Sequence, residues 1–182
     1  YNVMLLALRP VAWAAKQIST LQYVSNNRVV LGVGTGNPAH GSAGWEAAGV
    51  EYADRGRLTD EALAVLRDLI AGAEISPSAQ VPPIFVAGSG VRAHRRAAKY
   101  ADGWATIALP PDEVRANLDR INDLADGKQL KATVVAPQLT GDDPLEQLAA
   151  YEAAGTERVI LPPTGDWRHD YDQAAGLRSR YL

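Results

Sequence analysis

The sequence predicts an α/β protein built on a parallel sheet. Three observations carry that reading. Strand-like and helix-like segments alternate six times along the 182 residues, prolines and glycines punctuate the helical stretches, and two glycine-rich segments directly follow apolar strand-like runs. In parallel sheets the functional loops follow the carboxyl ends of the strands, which puts both glycine segments on one face. Six βα units make either an open doubly wound sheet or three quarters of an eight-stranded barrel. A chain that starts at Tyr1 and enters an apolar run at once is expected to lack upstream sequence, which favours the barrel. The expectation is one domain over 1–182, with the first two units missing.

The elements follow in order. Val3 to Leu8 reads as the first strand, after which Pro10 opens a helix with Val11, Ala14, Ala15, Ile18 and Leu21 on one face. Arg28 to Gly34 is the second strand. A long loop, Thr35 to Leu58, precedes a helix expected to be capped by Thr59, with Asp60 and Glu61 in its first turn and Gly72 at its end. Ile84 to Ala87 is the third strand, followed by a glycine turn and a basic helix. Trp104 to Ala108 is the fourth strand. It leads through Pro110 and Pro111 into a helix with Val114, Leu118, Ile121 and Ala125 on its buried stripe and Gly127 at its end. Leu130 to Ala136 is the fifth strand, and Asp143, Pro144 and Glu146 form a capping box for a helix that Gly155 stops. Val159 to Leu161 is the sixth strand, and Asp170 to Leu182 the closing helix.

Composition narrows the function. A formal net charge of -3 provides no domain-wide basic field, which argues against a general nucleic-acid binder. The absence of cysteine excludes disulfides, thiolate metal sites and a cysteine nucleophile, and suits a cytoplasmic protein. No apolar run reaches the roughly 18 residues of a membrane span, and no membrane partner is expected. His94 and His169 lack carboxylate or histidine partners at metal-ligand spacing, and no metal is expected.

Local chemistry concentrates in the glycine segments. Gly88, Ser89 and Gly90 follow a strand and open the basic helix, so helix-start amides and Arg92, with Arg95 or Arg96, point to a phosphate cradle. The alternative is a glycine-containing βα turn on a solvated basic helix. Gly32, Gly34 and Gly36 mimic a dinucleotide fingerprint, but Pro38, Gly41 and Gly44 delay the next helix that such a site needs. Asn37 is a ligand contact or a turn residue before Pro38. His40 is a loop histidine able to serve as acid, base or ring contact. His94 is expected to face solvent or phosphate, Trp45 to line a substrate mouth, and Trp104 to be core or cofactor wall. Arg55 and Glu61 read as charges that pin the loop.

Four segments in order resemble the luciferase-like family of flavin and deazaflavin oxidoreductases. They are Leu5-Leu-Ala-Leu-Arg-Pro10 with Ala15-Lys-Gln-Ile-Ser-Thr-Leu21, Asn27-Arg-Val-Val-Leu-Gly-Val-Gly-Thr-Gly36, Asp54-Arg-Gly-Arg-Leu-Thr-Asp-Glu61, and Pro83-Ile-Phe-Val-Ala-Gly-Ser-Gly90 with Ala101-Asp-Gly-Trp104. The resemblance implies an eight-stranded βα barrel (the TIM-barrel class) of which this chain holds the third through eighth strands. It implies coenzyme F420 or FMN as cofactor, with hydride transfer or monooxygenation of a small organic substrate, in a homodimer. Leu6, Ala7 and Leu8 match the strained strand end that cups the ring, and Thr35, Gly36 and Asn37 match the next loop. Ala87, Gly88, Ser89, Gly90, Val91 and Arg92 match the phosphate segment. Some deazaflavin dehydrogenases of the family place an acidic glutamate where this chain has Asn37, which cannot transfer a proton at neutral pH. The catalytic residues are left unassigned, with Asn37 and His40 as the candidates. Two other readings are a non-catalytic flavin-binding barrel and a phosphate-ligand barrel enzyme without redox cofactor.

Overall fold

The computed structural model describes residues 3–72, 77, 79–135, 139 and 143–181. The chain divides into two compact units, residues 1–87 with 99–102 and residues 88–98 with 103–182.

In the first unit β1 (Val3–Met4), β2 (Leu31–Val33) and β3 (Ile84–Ala87) lie side by side in chain order, all parallel, with Met4 opposite Val33 and Val33 opposite Val86. Two helices, α1 (Val11–Val24) and α3 (Arg55–Ala71), cover them, and a short α2 (Ala43–Ala47) lies in the long loop. The first strand is shorter than expected. It ends at Met4, and Leu6–Leu8 turns into a 3-10 helix closed by Leu8 N–H to Leu5 O (3.2 Å) and Arg9 N–H to Leu6 O (3.3 Å). After Val3 this run holds no β-branched residue, and leucine and alanine favour helical turns.

The inner face of α1 is also rotated from the expected one. Ala14, Ala15 and Ile18 are buried, but Leu21 is exposed and Gln22 takes the inner position. Gln22 is satisfied there, accepting from Val29 N–H (2.9 Å) and donating to Gln80 O (2.8 Å). A hydrogen-bonded amide tolerates a burial that an unpaired one would not. Thr59 is not a cap: α3 begins at Arg55, and the buried Thr59 hydroxyl donates back to Arg55 O at 2.7 Å. That i−4 bond satisfies a threonine inside a helix as well as a cap would. Arg55 pins the loop as expected, donating to Tyr52 O (2.8 Å) with its guanidinium 3.9 Å above the Tyr52 ring. Glu61 instead pairs with Arg57 on the exposed helix face, at 2.8 Å.

In the second unit β4 (Gly103–Ile107), β5 (Lys131–Val135) and β6 (Thr156–Ile160) are parallel and in order, with a register shift at Ala132/Thr133. Its helices are α4 (Val91–Tyr100), of which residues 91–98 belong to this unit, α5 (Pro111–Asp123), α6 (Pro144–Ala153) and α7 (Trp167–Tyr181). The α5 stripe is as expected at Val114, Leu118 and Ile121, which are buried, but the helix ends at Asp123 and not at Gly127, so the buried Ala125 lies in the turn that follows. Asp143 caps α6 by accepting from Leu145 N–H at 2.9 Å. Gly155 sits at φ +93°, and a Cβ there would meet Leu118 Cδ1 at 2.9 Å. The last strand and helix each begin three residues early. β6 starts directly after Gly155, and Asp166 caps α7 by accepting from Arg168 and His169 N–H at 3.0 and 3.2 Å. Ala136 and Leu182, the expected ends of two elements, lie outside the described residues. No helix among the described residues is long and apolar enough to cross a membrane.

Candidate functional site

Each unit carries one of the glycine segments. In the second unit the segment is a turn held by β4. Gly88 sits at φ +134°, where a side chain is strained, and an added Cβ would stand 2.9 Å from Ala93 Cβ. Both polar groups of Gly88 are engaged: its N–H donates to Ala105 O at 3.2 Å, and its carbonyl accepts from Trp104 Nε1–H at 2.6 Å. The next bond, His94 N–H to Gly90 O at 3.0 Å, starts α4. Amides N-terminal to that bond have no upstream helical carbonyl to reach, and the positive end of the helix dipole lies with them. Ser89, Gly90, Val91 and Arg92 are all exposed there. The turn therefore presents backbone donors, a hydroxyl and a guanidinium to solvent, which is the chemistry an anion requires.

Two expectations on α4 need correction. His94 does not face solvent or phosphate: it is 6% exposed and stands edge-on to Trp104, centroids 5.6 Å apart at 89°. Burial, and secondarily the Arg120 charge, pushes its pKa below the usual 6.5. The reason is helical periodicity, since His94 shares the inner face of α4 with the buried Ala97 and Ala98, three and four residues on. Arg96 is also buried, so of the pair Arg95 and Arg96 only Arg95 is exposed beside Arg92. The expectation that Trp104 is core holds, since it is fully buried. Sequence reasoning missed its hydrogen bond to Gly88, and the signal available was an indole N–H in a strand otherwise too apolar to satisfy it.

In the first unit the segment after β2 is built around Trp45. Gly36 lies at φ +85°, and a Cβ there would approach Trp45 Cζ2 to 3.2 Å. Trp45 does not line an open mouth: it is 4% exposed and packs edge-on to Tyr52, centroids 6.0 Å apart. Asn37 accepts from Ala39 N–H at 3.0 Å, capping a 3-10 turn over Pro38–His40, while Asn37 and His40 are exposed and Thr35 is half-buried. Gly34 packs so closely that a Cβ would meet Val3 Cγ1 at 2.6 Å and Ala87 Cβ at 3.8 Å. Leu6 and Ala7 are buried and Leu8 half-buried. No group of three or more histidine, aspartate or glutamate side chains is placed to hold a metal among the described residues.

The family model of the luciferase-like monooxygenases matches residues 2–154. An uncharacterized protein of Mycobacterium tuberculosis is 34% identical over 139 residues, covering 68% of this chain and 47% of that protein. The F420-dependent hydroxymycolic acid dehydrogenase of the same organism is 27% identical over 175 residues, covering 86% of this chain and 45% of the enzyme. The chain thus spans about half the length of these curated relatives. Among solved structures, an F420-dependent secondary alcohol dehydrogenase in complex with an F420-acetone adduct superposes with a TM-score of 0.74 at 13% identity, covering 99% of this chain and 78% of its own. The coenzyme F420-dependent tetrahydromethanopterin reductase of Methanopyrus kandleri gives 0.66 at 14% identity, covering 96% and 79%. These superpositions establish a shared fold.

Proposed function

The chain belongs to the luciferase-like monooxygenase family and carries its α/β barrel fold in six βα units, and from that premise we propose that it serves an oxidoreductase that exchanges a hydride between coenzyme F420 and a small organic substrate. The observation that carries the reading is the exposed turn Gly88–Arg92 at the start of α4, whose donors suit the phosphate of such a cofactor. Its fit rests on Gly88, since the space a Cβ would fill is already limited by Ala93. The deazaflavin, when bound, supplies the hydride chemistry, and the protein supplies position and shielding.

On this reading the amides of the α4 start and the Ser89 hydroxyl bind the phosphate, and Arg92 adds a charged hydrogen bond. Leu6, Ala7 and Leu8, with Thr35 and Gly36, are assigned to the ring by resemblance. Asn37 and His40 are the polar groups assigned to the reacting end. Asn37 holds or orients a carbonyl and does not donate a proton as an acid. Two F420-dependent proteins among the similar structures, and the F420-dependent dehydrogenase among the relatives, favour F420 over FMN. The monooxygenase description of the family keeps FMN-dependent oxygenation as the second reading.

Titration with F420, FMN and the phosphate-free forms of both tests the proposal. F420 is expected to bind in preference to FMN, and Arg92→Ala to weaken F420 by about ten- to a hundred-fold, the loss of one charged hydrogen bond, while leaving the phosphate-free deazaflavin unchanged. Preference for FMN with oxygen consumption would favour the second reading. Equal affinity with and without phosphate would overturn the turn's assignment.

A further inference from the structure

We propose that Trp104 is a positioning residue for the anion turn: its indole N–H fixes the Gly88 carbonyl and thereby aims the amide that follows, so phosphate affinity depends on a side chain that never touches the ligand. The proposal rests on the assignment of Gly88–Arg92 to phosphate.

The Gly88 carbonyl and the Ser89 N–H belong to one rigid plane and point in opposite directions within it. Trp104 Nε1 holds that carbonyl at 2.6 Å from the interior, where the indole is fully buried. The Ser89 N–H is therefore turned away from the buried indole, toward the exposed side of the turn. Glycine is the residue least able to keep a direction unaided, because it adopts φ on either side of zero with similar ease. The turn meets this weakness with two bonds from neighbouring residues of β4: Ala105 O takes the Gly88 N–H at 3.2 Å and Trp104 takes its carbonyl. The indole is itself seated by the His94 ring, edge-on at 5.6 Å. The buried His94 Nε2 has no hydrogen-bond partner among the described residues, so this ring serves Trp104 as a wall and not as a proton acceptor. A phosphate bound to the turn meets an amide already aimed, and the ordering cost of binding falls accordingly.

Trp104→Phe keeps an aromatic ring against His94 and removes the donor. F420 and its phosphate-free precursor are titrated against the parent and the variant. The expected result is a three- to tenfold loss for F420, about the worth of one hydrogen bond, and no change for the precursor. A merely structural role would weaken both ligands alike, and that outcome overturns the proposal, as does no loss for either. If Arg92→Ala shows phosphate dependence and Trp104→Phe does not, the positioning proposal falls and the phosphate assignment stands. If the parent does not discriminate the two ligands, both fall. Should the Phe variant not fold, the unsubstituted protein decides: labelled with 15N at tryptophan, it has two buried indoles, Trp45 and Trp104, and Trp45→Phe tells them apart. A Trp104 indole resonance that shifts with F420 but not with the precursor supports the proposal, and one that stays fixed overturns it.

Discussion

The two glycine segments of this chain are each braced by a buried tryptophan, but in different ways. Trp45 supports the loop after β2 by contact: its ring lies where a Gly36 side chain would go, and Tyr52 packs against its edge. Trp104 supports the turn before α4 by a directed bond to the Gly88 carbonyl. A packed wall limits where a loop can be, whereas a hydrogen bond also limits which way its amides point. The difference fits the proposed ligands. A flat apolar ring needs a shaped surface, and a phosphate needs aimed donors.

The comparison breaks most visibly at the contact-braced loop. Trp45 is 4% exposed, so Trp45→Ala removes a whole buried ring and leaves a cavity. The expected cost is about 3 to 5 kcal/mol, read by urea unfolding. A loss below about 1 kcal/mol would show that the loop collapses onto the space and that the ring is not its support.

Substitution of the glycines themselves comes next. Gly88→Ala places a methyl group 2.9 Å from Ala93 Cβ at φ +134°, and should cost about 1 to 3 kcal/mol while abolishing the phosphate preference. Gly36→Ala meets the Trp45 ring at the looser distance of 3.2 Å, at φ +85°. Its cost should stay near the 1 to 2 kcal/mol of a left-handed residue, roughly, without touching phosphate preference. Thermal melts with paired ligand titrations check both, and reversal of the two ligand effects would mean that the segments have been assigned to the wrong parts of the cofactor.

Much of this was legible in the sequence, though not at the level of single bonds. The six-fold alternation, the Pro111 and Pro144 helix starts and the α5 stripe were readable because each follows from one local rule. The errors fall where two local rules compete. Leu6–Leu8 satisfies apolar strand patterning, but its leucines and alanine also favour a helical turn, and the turn is what forms. Thr59 had the chemistry of a cap but found its partner one turn back. The basic neighbours of His94 in the sequence point it to solvent, whereas its environment is set by its place on the inner face of α4. The Trp104 bond joins residues 16 apart, and no spacing rule connects a strand indole to a glycine carbonyl on the preceding turn.

His94 provides a smaller test of the directed brace. Burial disfavours its charged form, so its folded pKa lies below the unfolded value of about 6.5. Between those two values the unfolded chain binds more protons. Stability from this group is therefore complete above about pH 6.5 and declines as the pH falls toward the folded pKa. His94→Gln should flatten that part of the stability profile in thermal melts taken between about pH 7.5 and 5. A slope unchanged by the substitution would assign the titration to other groups and leave His94 as packing alone.

The smallest expected effect on stability, and the most direct probe of the first segment, is Asn37→Asp. The amide oxygen of Asn37 accepts from Ala39 N–H at 3.0 Å on an exposed turn. A carboxylate accepts equally well in that geometry, and asparagine and aspartate are near-equal caps, so the melting temperature should barely move. What does change is the proton chemistry: an amide does not titrate, and a carboxylate does. If Asn37 meets the ring or the substrate, the variant's pH–rate profile gains a limb at the new carboxylate's pKa while F420 affinity stays within about twofold. Activity against pH for parent and variant, with F420 saturating, measures it. Superimposable profiles would leave Asn37 with the one role visible in the fold, that of holding the turn at Pro38, and would move the search for a reacting polar group to His40.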